Sequence, residues 1–211
     1  MTMLAEKHYS VRETYWITHQ AVRTLRFMGR SRVGRDHQFR ERIMLAVTEV
    51  NGCELCSFAH ARFALAAGLS EEEVRHLLGG VAEGVPDDQL PALVFAQHYA
   101  DSRGHPDVGV WQELVDVYGG ADALGVLGAV RVMMWGNAVG IPWSALRSRL
   151  MGIPDPGSSR RYELATIVGS TVVTPVALVH ALVSELRNVP IVPGQTDPRC
   201  STTRTRAAPT G

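Results

Sequence analysis

A chain of 211 residues can bury one well-cored domain and a small addition, and 45% hydrophobic with 20% charged residues is an ordinary globular composition. The formal net charge of +0 gives no global attraction to nucleic acid or to an anionic membrane surface, so neither is expected as a partner. Three cysteines do not make a disulfide framework, and Met1 to Ser10 is polar, without the apolar stretch of a signal peptide; the expected location is cytoplasmic. Twenty of the 21 basic residues are Arg, with Lys7 the only lysine. The arginines between Arg23 and Arg42 read as a solvated face rather than an anion site.

In chain order, Val11, Tyr15, Val22, Leu25 and Met28 predict a helix over 10–28, ended by Gly29. A connector around Gly34 leads to a helix over Gln38 to Val50, and Asn51-Gly52 marks a turn. A second helix carries Cys53 and Cys56 in its first turn and stops at Gly68. Ser70 with Glu73 is a capping box opening a short helix that ends at Gly79-Gly80. Further helices are expected over Leu90 to Arg103 with an N-cap near Asp88, over Asp107 to Tyr118, over Ala121 to Val139, and from Pro142 to near Leu150. No stretch alternates as a strand would, so the fold class is all-α. Residues 1–152 form the expected helical domain. Residues 153–192 hold a Pro/Gly/Ser linker and a C-terminal apolar helix, and 193–211 is an expected disordered tail containing Cys200. Leu164 to Val183 lacks Asp, Glu, Lys and Arg and has the length of a membrane span. Its Thr, Ser, Gly, Pro and His residues favour a buried or subunit-interface helix kinked at Pro175.

The chemistry concentrates in Glu41 to His60, ERIMLAVTEVNGCELCSFAH. On the second helix Cys53, Cys56 and His60 share one stripe, and in an antiparallel hairpin Glu41 lies beside His60. A carboxylate, an imidazole and two thiols then form one chain of contacts. A helix N-terminus would acidify Cys53, a histidine one turn away would acidify Cys56, and Glu54 opposes both; the sequence leaves this contest open. Glu49 is a rival carboxylate taken out of register by the Asn51-Gly52 turn. His98 and His105 read as surface or satisfied core histidines, and Trp135 with Met133 and Met134 as core or interface.

This stretch resembles the AhpD-like (alkylhydroperoxidase D-like) branch of the carboxymuconolactone decarboxylase family, over roughly residues 20–150. The resemblance rests on a glutamate, Cys-x-x-Cys and a histidine four residues on, with LAV-x-x-x-NGCE-x-C-x-x-AH and AGLSEEEV around them. The best-known members carry a further histidine between the cysteines where this chain has Leu55, so the relay implied here is its Glu-His-Cys part. The resemblance implies a thiol-dependent alkyl hydroperoxide peroxidase and disulfide reductase without a cofactor or metal. Cys56 would be the attacking thiolate, Cys53 the resolving thiol, and His60 the base oriented by Glu41. It also implies an organic hydroperoxide substrate, a dithiol reductant or a peroxiredoxin-type electron partner, and a homo-oligomer, a trimer or a multiple of it. Three alternatives stand beside it: zinc held by Cys53, Cys56, His60 and Glu41, lactone decarboxylation on the same fold, and a non-catalytic module.

Overall fold

Residues 6–192 are described in a computed structural model, and among them the chain is all-α, with eight α-helices, one 3-10 turn and no strand. The expected tail, 193–211 with Cys200, lies outside the described residues. The first helix, α1 (Val11–Arg30), opens on a reciprocal capping box: Ser10 Oγ accepts from the Glu13 N–H at 3.2 Å, and Glu13 Oε2 accepts from the Ser10 N–H at 2.8 Å. A single turn, α2 (Arg32–Arg35), links it to α3 (His37–Asn51). At Gly52 the backbone turns left-handed (φ 71°), which a residue without Cβ adopts freely, and α4 (Glu54–Ala66) runs back from there.

The predicted box at Ser70 is half-formed in α5 (Glu71–Leu77). Ser70 Oγ accepts from the Glu73 N–H at 3.1 Å, while the Glu73 carboxylate accepts from Arg42 Nε at 2.6 Å and ties α5 to α3. A 3-10 turn (Asp87–Gln89) leads into α6 (Leu90–Asp101), whose N-cap is Gln89 rather than Asp88. The Arg23 to Arg42 stretch is not simply a solvated face. Arg23 and Arg42 are buried, and Glu185, Asp88, Glu41 and Glu73 pair with Arg23, Arg32, Arg40 and Arg42.

The long helix α7 (Val108–Leu150) is the spine, packed by α1, α3, α4, α6 and α8 (Arg160–Leu186). It breaks at Gly119 (φ 72°, ψ 162°), as the Gly119-Gly120 pair predicts. The second predicted break is absent, because the helix continues through Pro142. An interior proline costs about 3 kcal/mol. Here it lies on a stripe buried without interruption, Leu127, Val130, Met134, Ala138, Ile141 and Ala145, and that packing outweighs the lost hydrogen bond. Met133 and Met134 are core, and Trp135 is partly exposed. His98 Nε2 accepts from the Asp107 N–H at 3.0 Å as a local structural contact, and His105 is exposed.

The C-terminal helix α8 is built inside out. Its inward face is Glu163, Thr166, Ser170, Ala177, Ala181 and Ser184, while Leu164, Val168, Val172, Val176, Val179, Leu182 and Leu186 face outward. The expectation of a buried helix therefore fails within one chain; the apolar residues point away from it. Both α7 and α8 are long and apolar enough to cross a membrane, but the most apolar window of α7 is 78% buried and that of α8 only 22%. Polar contacts hold α8 down. Glu163, fully buried, accepts from Arg149 and from Ser158 Oγ, and Arg23 donates to Glu185 at 3.1 Å. His19 Nε2 lies 3.1 Å from Ser184 Oγ, its ring stacks on His180 at 4.2 Å, and His180 Nδ1 lies 2.6 Å from Tyr15 Oη.

Burial, then the nearby His180, Arg23 and Arg131, push His19 down to about 4, against a weaker opposing pull from Glu185. A depressed imidazole contributes stability that is complete above its unfolded value near 6.5 and is lost as pH falls toward 4. The melting temperature is therefore expected to fall from pH 6.5 to 5, and His19→Gln to flatten that slope. Equal slopes in thermal melts of the two proteins would remove His19 as the cause.

Candidate functional site

The site is assembled where the N-terminus of α4 meets the middle of α7. Cys53 is the N-cap of α4, and its Sγ accepts from the Cys56 N–H at 3.3 Å. The two cysteines are free thiols, Cys53 fully buried and Cys56 7% exposed. Both sulfurs converge on Gly140 of α7: a Cβ there would lie 2.8 Å from Cys56 Sγ and 2.9 Å from Cys53 Sγ. The Cys56 thiol also donates to the Gly136 carbonyl at 3.5 Å.

Behind the thiols runs a buried amide network. Tyr9 Oη donates to Asn51 Oδ1 at 2.7 Å, Asn51 Nδ2 donates to Asn137 Oδ1 at 3.1 Å, and Asn137 Nδ2 donates to Thr48 Oγ1 at 3.2 Å. The thiols are unequal. A hydrogen bond from the Cys53 thiol, aided by the Asn137 side chain and opposed by burial, holds Cys56 below the ordinary thiol range. That same pairing, with burial, pushes Cys53 up. The acidic group that bears on both sulfurs is Glu6, not the exposed Glu54. Burial first, then the Asp155 and Glu54 carboxylates, push Glu6 itself up to about 7.

One helical turn beyond Cys56, His60 Nδ1 lies 2.8 Å from Glu41 Oε2 across the α3–α4 hairpin. The other carboxylate oxygen of Glu41 accepts from Arg40 Nε at 3.3 Å, and the His60 ring meets Phe63 edge-on at 5.5 Å. With Nδ1 occupied by the carboxylate, Nε2 is the nitrogen left for chemistry. No hydrogen bond joins His60 to either thiol. Cys53, Cys56 and His60 do not converge to metal-ligand distance among the described residues. Glu49 points elsewhere, hydrogen-bonded to Gln97, with burial raising its carboxyl. Leu55 is 43% exposed and lines an open cleft of about 570 Å³ with Phe58, Trp143, Arg147 and Met151.

Gly136, Asn137, Gly140 and Glu6 belong to this site and were not singled out from the sequence. Glycines in an apolar helix and an asparagine beside them carry no local signal; each matters through what α4 or the N-terminal segment places against it.

Residues 18–96 match the profile of the Carboxymuconolactone decarboxylase family. That segment, from within α1 into α6, is a Carboxymuconolactone decarboxylase family domain, and it contains Glu41, Cys53, Cys56 and His60. No significant match to the chain was found among curated proteins or solved structures.

Gly140→Ala tests the seat of the two sulfurs. The added methyl overlaps both and forces them to shift, so a loss of about 1–3 kcal/mol in unfolding free energy is expected, with changed thiol alkylation rates. Unchanged denaturation and unchanged alkylation would show that the helices separate freely there.

Proposed function

We propose that the chain is an AhpD-like thiol peroxidase and disulfide reductase. The observation that carries the reading is the buried thiol pair, Cys53 Sγ accepting from the Cys56 N–H at 3.3 Å and both sulfurs against Gly140, with the Glu41–His60 pair one helical turn on. The Cys56 thiolate attacks the terminal oxygen of an organic hydroperoxide, forming Cys56–SOH and releasing an alkoxide that takes a proton to leave as the alcohol. His60, oriented through Nδ1 by Glu41, is the base that takes the Cys56 proton through Nε2, by way of a water since no direct bond joins them. Cys53 then condenses with the sulfenic acid, giving a disulfide and water. A dithiol carrier re-reduces it by thiol exchange, itself becoming a disulfide, and the regenerated Cys53/Cys56 dithiol can instead pass its electrons to a peroxiredoxin-type partner. The cleft lined by Leu55, Phe58, Trp143 and Met151 offers apolar walls for an organic substituent, with Arg147 at its side.

Counting free thiols before and after one equivalent of cumene hydroperoxide tests this. Two of the three thiols are expected to disappear in the wild type, with no intramolecular disulfide formed in Cys56→Ser; retention of all three overturns it. His60→Gln is expected to slow oxidation at neutral pH by about 10²–10⁴-fold, with the defect shrinking toward about pH 8.5, where a thiol ionises unaided. A defect of constant size across pH removes His60 as the base.

The chain is also proposed to form a homo-oligomer, a trimer or a multiple of it, through the outer face of α8. From Val172 the outward residues fall at 172, 176, 179, 183 and 186, the alternating spacing of four and three that lets two helices interlock. Sedimentation is expected to give a multiple of 23.0 kDa at micromolar concentration. Val172→Glu with Val179→Glu should bring the mass down to one chain. A wild-type mass of one chain overturns the assembly.

A further inference from the structure

The segment before α1 and the linker before α8 bring together a second group of chemistry-bearing side chains, apart from the Glu41–His60 pair. Glu6, His8 and Asp155 each place one ligand atom within 4.8 Å of those of the other two. Two of the three residues also carry an orphaned polar atom: Glu6 Oε2 and His8 Nε2 are sealed from solvent and have no hydrogen-bond partner among the described residues. Buried polar atoms in native proteins are almost always satisfied. A divalent cation satisfies a carboxylate oxygen and an imidazole nitrogen together.

The electrostatic surroundings agree. Glu6, Asp155 and Glu54 line one open cavity of about 580 Å³ with His8, and no Lys or Arg is among its lining residues. None of those three carboxylates has a salt-bridge partner among the described residues. Elsewhere the buried carboxylates Glu41 and Glu163 lie against arginine. The donors are also held in place. The His8 ring packs on Tyr162 with centroids 4.4 Å apart, and Asp155 Oδ1 accepts from the Gly157 N–H at 2.9 Å.

We propose that Glu6, His8 and Asp155 form a binding site for a first-row divalent cation of the Mn²⁺ or Zn²⁺ class, its remaining positions open to the 580 Å³ cavity. An imidazole with two carboxylates suits such an ion better than Ca²⁺ or Mg²⁺, which take oxygen ligands, or Cu⁺, which takes sulfur. At metal–ligand distances of about 2.1 Å, neighbouring ligand atoms lie roughly 3.0–3.4 Å apart. The ion would thus draw the N-terminal segment and the linker together by an ångström or so. Glu6 also bears its charge on both thiols, but cation binding does not require them, and its test can be run without them.

The experiment uses the full chain with any affinity tag removed, stripped with EDTA. Mn²⁺, which thiolates bind poorly, is titrated into the wild type and followed by the EPR signal of free ion; Zn²⁺ is titrated calorimetrically into Cys53→Ser/Cys56→Ser. One equivalent of metal per chain is expected to bind in each. Asp155→Asn, nearly isosteric at a linker position, and His8→Ala should each weaken binding by about tenfold or more. Glu54→Gln, which removes a carboxylate that lines the cavity without belonging to the triad, should weaken it by less than either. No saturable binding of either ion at about 100 μM overturns the proposal. So does an Asp155→Asn protein, folded by circular dichroism, that titrates like the wild type.

Discussion

Two sulfur atoms occupy the space that a side chain at residue 140 would fill, and the rest of the site follows from that contact. The seat exists because α7 presents Gly136, Asn137 and Gly140 on the face that meets the first turn of α4. With no Cβ at 140, α4 can bring both thiols against the α7 backbone, where burial excludes water and one thiol can hydrogen-bond the other. A buried pair sharing one proton cannot ionise evenly; one sulfur takes the charge and its neighbour keeps the proton. The hydrogen bond from the Cys53 thiol, and after it the Asn137 side chain, favour the charge on Cys56 against the cost of burial.

Asn137 is held by a chain of amides and hydroxyls that crosses the molecule from Tyr9 through Asn51 to Thr48. Each member of that chain is fully buried. A buried network of this kind is costly when broken and fixes the geometry when complete. The N-terminal segment is thereby tied to the α3–α4 hairpin: Tyr9 anchors it, and Glu6, three residues earlier, comes close enough for its charge to bear on both thiols. The Glu41–His60 pair, in contrast, belongs wholly to the α3–α4 hairpin and depends on the left-handed turn at Gly52 for its register.

The C-terminal helix shows a different logic. Its polar and small residues face the protein because α1 offers His19, Arg23 and Tyr15 there, groups that an apolar face could not satisfy. Its valines and leucines are left on the surface as a consequence. An apolar helix face of that extent is costly in water, so the fold of one chain leaves a surface that calls for cover.

The helical class, the α3–Gly52–α4 hairpin and the four residues Glu41, Cys53, Cys56 and His60 were legible in the sequence, because each rests on spacing within a single short segment. Helical periodicity and the Asn51-Gly52 turn act over one or two turns of chain, and counting across an equal-armed hairpin suffices to put Glu41 beside His60. The continuation of α7 through Pro142 was not legible, since a local penalty was outweighed by packing on partners remote in sequence. Neither were the roles of Gly140, Asn137 and Glu6, nor the inversion of α8. Which cysteine is the more acidic was open because the helix dipole, His60 and Glu54 were the visible influences, whereas the pairing of the two thiols and the Asn137 side chain of α7 act only once the chain is packed. Local pattern determined which groups could react. Only tertiary packing decided which of them are buried, paired and charged, because desolvation and hydrogen bonding depend on neighbours the chain supplies from other elements, the N-terminal segment and α7 among them.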